Sequence, residues 1–114
     1  MHGQAIPDFD YRAVLKSDMS GEITSLIAHQ VSSNSPLRAV IWSVPRKAWI
    51  SAPAPAARFL YDEQYFDRTR KVDRPTAEQI ARDLLHTELP SEQTLRAMID
   101  EGDRMGWDYG PPRQ

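Results

Sequence analysis

The stretch from Leu37 to Ala54 constrains the fold of this chain more than any other. It is the densest apolar run and holds two of the three tryptophans. Alternation puts Val40, Trp42 and Val44 on one face of a strand and Ala39, Ile41 and Ser43 on the other. Pro45-Arg46-Lys47 reads as the turn, because proline has no N–H to give to a ladder and belongs at a strand end. Ala48 to Ala52 forms the returning strand. A lone hairpin is marginal in water, so this one needs a third strand or a helical cover. The expected fold class is therefore α+β: a small single domain, residues 1–114, in which a β-hairpin or three-stranded antiparallel sheet packs against three to four short helices. Residues 1–7 and 110–114 read as loose ends.

A chain of 114 residues amounts to one domain by length. Such a domain buries roughly two-thirds of its unfolded surface, enough for one modest core. Hydrophobic residues make up 40% and there are nine prolines, which assigns part of the chain to loops. No linker is long enough to divide it.

The flanking segments are read as follows. Asp8 or Asp10 caps a short helix with Tyr11, Val14 and Leu15 on one face, ended by Asp18-Met19-Ser20-Gly21. Residues 22–31 fit two periods. Ile23, Leu26, Ile27 and Val31 suit a helix, whereas Ile23, Ser25, Ile27, His29 and Val31 suit a strand. Helix is favoured, since Ser20 can cap it and Ile27 is the one strong strand former at its centre. Pro53-Ala54-Pro55 breaks the second strand and opens a helix carrying Ala56, Ala57, Phe59, Leu60 and Tyr61, which continues or restarts through Tyr65 and Phe66. Residues 67–74 are densely charged and expected to be exposed. Thr76 and Gln79 form a capping box ahead of the stripe Ala77, Ile80, Ala81, Leu84 and Leu85. Ser91 caps a last helix with Leu95, Met98 and Ile99 inward, stopped by Gly102 or Gly106. In the tail, Met105, Trp107 and Tyr109 alternate, as they would in a strand docked beside the hairpin.

Several chemistries find no support. The absence of cysteine excludes disulfides and thiolate chemistry. His2, His29 and His86 are far apart and lack metal-ligand spacing, so no metal is expected. The five glycines are scattered and form no phosphate-binding loop, so no cofactor is expected. Asp62, Glu63 and Asp67, near Tyr61 and Tyr65, are carboxylates brought together only by proximity, and adjacent arginines mark them as solvated. No catalytic residue is assigned. A net charge of −2 gives no pull toward nucleic acid or an anionic membrane. Neither a signal peptide nor a run of ~18 apolar residues is visible, so a cytoplasmic location is the expectation. Arginine, alanine, proline and aspartate are frequent and lysine is scarce, which suggests a GC-rich bacterial genome.

Two functional readings follow. The favoured one is a non-enzymatic bacterial protein-interaction module, an immunity- or antitoxin-like partner or an accessory subunit. It would bind a protein partner or form a homo-oligomer. Its candidate contact residues are Trp49, Arg46 and Trp107, with the basic cluster Arg68, Arg70, Lys71 and Arg74. Trp42 is assigned to the core and Trp49 to display. The alternative is a DNA-binding regulator using residues 76–101, where Ala81, Leu84, Ser91, Leu95 and Ile99 echo helix-turn-helix spacing. Leu89-Pro90-Ser91-Glu92 also resembles the stretch that opens a helix in GntR-type repressors. Against this, the turn is about four residues too long for the motif. Glu92, Asp100 and Glu101 also make the would-be reading helix acidic. The spacings Glu78 to Arg82, Glu92 to Arg96 and Asp100 to Arg104 suit a solvated helix face instead.

Overall fold

The computed structural model describes residues 9–16, 20–31, 38–61 and 68–111. The expectations for residues 1–7 and for Asp62, Glu63, Tyr65, Phe66 and Asp67 fall outside them. Five strands occur in the order β1 (Phe9–Leu15), β2 (Ile23–Gln30), β3 (Ala39–Ser43), β4 (Ala48–Ser51) and β5 (Thr69–Val72). The helices are α1 (Pro53–Tyr61), α2 (Arg74–Asp83) and α3 (Glu92–Met105). The strands form one antiparallel sheet ordered β4-β3-β2-β1-β5. The α+β class holds, but with five strands where at most three were expected, and with three helices among the described residues.

The hairpin lies as its alternation dictates, with Val40 against one layer and Ala39 and Ile41 against the other. On one face Phe9, Tyr11, Ala13, Leu26, Ala28 and Val40 meet the apolar stripes of α2 and α3. On the opposite face Val14, Ile27, Ala39, Ile41 and Ile50 meet Ala52, Ala56 and Phe59 in and before α1. The middle of the sheet is thus covered twice.

That double cover explains the main corrections. Residues 9–15 and 23–30 are strands, not helices. In β2 the four residues Ser25, Leu26, Ile27 and Ala28 are all buried, so polar alternation is erased at its centre. Ser25 is tolerated there because its hydroxyl donates to the Trp42 carbonyl at 2.6 Å. A register shift near Thr24 pairs Leu15 with Ile23 and Val14 with Ser25. The bulge turns Ile23 toward the helix layer that simple alternation would deny it. Residues 69–72 of the charged segment form a strand, with only Arg70 and Lys71 fully exposed.

Helix ends follow local chemistry. The N-cap of α2 is Asp73, whose carboxylate accepts from the Thr76 N–H at 2.9 Å; Thr76 itself lies inside the helix, so the expected capping box does not form. Helix α2 stops at Asp83, which leaves Leu84 52% exposed at the end of its stripe. Ser91 caps α3 as expected, accepting from the Thr94 N–H at 3.1 Å. The stop is Gly106; Gly102 lies within α3, buried against Ser51 of β4.

The tail does dock beside the hairpin, but without becoming a strand. The Gly110 N–H donates to the Ser51 carbonyl at 2.7 Å. Arg46 Nη1 donates to the Pro111 carbonyl at 2.6 Å, and its guanidinium lies over the Tyr109 ring, 4.9 Å from the centroid. Tyr109 and Ser43 share a hydroxyl hydrogen bond of 2.7 Å. A Cβ at Gly110 would meet Ile50 Cβ at 2.8 Å, so only glycine lets the tail come this close. Gly110 is buried, which corrects the expectation of a loose end from residue 110.

Candidate functional site

The residues singled out from the sequence divide between the two edges of the sheet. Arg46, Trp49 and Trp107 belong to the β4 side. Arg46 holds the tail, and Trp107 sits half-buried between α1 and the end of α3. Trp49 is half-buried against the helix-side core, tilted on Trp42 with ring centroids 5.4 Å apart. Its indole nitrogen is fully buried without a hydrogen-bond partner among the described residues. Where the sequence suggested a core Trp42 and a displayed Trp49, both are half-buried with their rings tilted against each other, and Trp42 lines an open cleft.

Arg68, Arg70, Lys71 and Arg74 belong to the β5 side. Arg68 Nε donates to the Leu15 carbonyl at 2.9 Å, and its guanidinium lies over Phe59. Lys71 is 3.8 Å from the Asp10 carboxylate. Arg74 donates to the Tyr11 hydroxyl at 2.9 Å and to Glu78 at 3.2 Å. Tyr11 in turn donates to Glu92 at 2.9 Å. This chain of bonds ties the starts of α2 and α3 to β1.

Burial pushes the Tyr11 hydroxyl from 10.0 up to about 12; the bond from Arg74 opposes the shift and Glu92 adds to it. The native state thus holds this proton more tightly than the unfolded chain. The associated stabilisation is complete below pH 10.0 and is lost as pH rises through about 12. Thermal unfolding followed by circular dichroism should show an alkaline fall in Tm across this window. A smaller fall is expected in Tyr11→Phe; identical profiles would refute the role given to this hydroxyl. His29, half-buried on β2, has its pKa lowered by burial, reinforced by Arg12 and Lys71 and opposed by Asp10.

One apolar surface feature was not singled out from the sequence. A cleft of about 510 Å³ opens between the β3–β4 turn and the end of α2, with Trp42, Val44, Leu84 and Leu85 as its apolar lining. Val44 and Leu84 are 54% and 52% exposed, so a contiguous apolar surface faces outward. Thr24, Thr87, Lys47 and His86 complete the lining. The last two stand out in their backbone. They are the two non-glycine residues with positive φ among the described residues, at 51° and 57°.

Both positions favour glycine for identifiable reasons. Lys47 closes the hairpin turn, where a left-handed residue fits the strand twist. His86 lies just past α2, where its left-handed backbone lets the Thr87 N–H reach back to the Ala81 carbonyl at 2.9 Å. A left-handed side-chain-bearing residue costs roughly 1–2 kcal/mol. Neither the Lys47 nor the His86 side chain makes a hydrogen bond or ion pair among the described residues. The legible signal was a turn and a helix end that both lack the glycine their geometry prefers.

Fold and cleft together define a small α+β domain with an apolar surface cleft rimmed by a lysine and a histidine. The chain matches no protein-family model, no curated protein and no solved structure. Among the described residues no group of side chains could hold a metal ion, and no helix is long and apolar enough to cross a membrane.

Proposed function

We propose that this protein is a non-enzymatic interaction module that binds a protein partner through the cleft at Trp42, Val44 and Leu84. The carrying observation is the placement of Lys47 and His86 in strained backbone positions at the rim of one apolar cleft. The partner it suits presents an apolar side chain flanked by carboxylates: the side chain fills the cleft, and Lys47 meets the charge. Small size and mixed surface charge fit an accessory subunit or an immunity- or antitoxin-like partner. The DNA-binding alternative gains no support from the geometry, since α3 turns Leu95, Ile99 and Gly102 into the sheet and holds Asp100 and Asp103 in ion pairs with Arg38.

Affinity capture with three baits tests this reading. Leu84→Asp alters an exposed position and should change stability by no more than about 0.5 kcal/mol. A partner retained by the wild type should be lost from that bait. The Lys47→Gly/His86→Gly variant should be as stable as the wild type or up to about 1 kcal/mol per site more stable, and yet retain the partner less well. A partner held equally by all three baits, or none held by the wild type, would overturn the reading.

A further inference from the structure

The two edges of the sheet are built differently. The tail is bonded to β4, whereas among the described residues no segment pairs with the outer side of β5. The exposed side chains of β5 are both cationic. Arg70 has no hydrogen bond or ion pair among the described residues, and Lys71 has only the long contact to Asp10. An edge strand offers a row of backbone donors and acceptors to any extended chain of suitable side-chain charge.

We infer that β5 is a second binding surface, which takes an extended acidic peptide segment as a sixth strand of the sheet. Three observations select this occupant. A second copy of β5 is disfavoured, because antiparallel self-pairing centred on this strand sets Arg70 against Arg70 or Lys71 against Lys71, and like charges directly opposite repel. Carboxylates at two adjacent positions of an added strand, one on each face, would instead pair with these cations. A pocket of about 290 Å³ opens at the end of β5; Phe9, Tyr11 and Val72 line it together with the charged residues Asp10, Lys71, Asp73, Arg74 and Glu92, and its three carboxylates disfavour a further acid there. A residue opposite Val72 on the added strand would share its face and point toward this pocket, which suits a medium apolar side chain. This surface is separate from the cleft of the proposed function: β5 leads into the start of α2, and the cleft lies at its end.

The test uses the full chain and two short probe peptides, one with two adjacent glutamates flanked by valines and one with two adjacent lysines flanked by valines. Amide chemical shifts should move at Thr69–Val72 and Tyr11 with the glutamate peptide and not with the lysine peptide, and the affinity should fall as salt is raised. Arg70→Glu/Lys71→Glu changes two exposed residues and should invert the preference, with at least about a tenfold loss for the glutamate peptide. Leu84→Asp should leave binding unchanged, which separates this site from the cleft. The inference is overturned if neither peptide binds, if both bind alike, if the charge inversion leaves the preference intact, or if Leu84→Asp abolishes binding.

Discussion

Replacing both Leu26 and Ile27 by alanine is expected to leave no folded protein at room temperature. These neighbours in β2 are 1% and 0% exposed, and they belong to different cores. Leu26 packs toward α2 and α3 with Tyr11 and Val40, and Ile27 toward α1 with Val14 and Ile41. Each truncation removes apolar burial and leaves a cavity in a tightly packed layer, at about 2–5 kcal/mol. Since the two sites share no core partners, their effects should add. The sum is then roughly 4–10 kcal/mol, set against a total stability of about 5–15 kcal/mol for an ordinary domain. Urea unfolding of the single variants, with a circular dichroism spectrum of the double, would check this. Losses in one single variant far smaller than in the other would mean that the sheet is covered on one face only.

The second large effect concerns Gly102. A helix interior normally gains up to about 1 kcal/mol when glycine becomes alanine. Here the opposite is expected. A Cβ at this position would lie 2.3 Å from Ser51 Oγ and 2.7 Å from Ser51 Cβ, both on a buried strand residue that cannot swing away. Gly102→Ala should therefore destabilise by about 1–3 kcal/mol, the usual penalty for overpacking, and Gly102→Val by more. Ser51→Gly removes both obstructing atoms, so in the alanine background it should recover most of the loss. A thermal or urea double-mutant cycle reads the coupling directly. A Gly102→Ala protein more stable than the wild type would show that α3 does not approach β4 as closely as described.

Legibility in the sequence tracked how many sides of an element face water. Helices α2 and α3 each bury one face, and their periods located them to within a few residues, whereas the β3–β4 hairpin, buried on both faces, was marked by its apolar density and its proline turn. Strand β2 is covered on both faces, so its pattern lost the polar positions that separate strand from helix. For β1, Asp10 and Arg12 between apolar residues were the visible alternation, but the reading gave more weight to a capping aspartate. Strand β5 hid in a charged run because it is short and lies at an edge, where the sheet asks little of side chains. The candidate site was less legible still. Tryptophans and arginines drew attention through residue type, yet most of them are engaged within the fold. The cleft depends on what is missing from Lys47 and His86, a glycine at each of two turns, and on Leu84 lying one residue beyond the end of α2.

The docking of the tail on β4 also sets a valence. A sheet with two free edges can be joined head to tail without limit, the geometry of a filament. Gly110, Arg46 and Tyr109 close one side of this sheet with chain that forms no strand of its own. Among the described residues this leaves β5 as the edge at which a strand can be added.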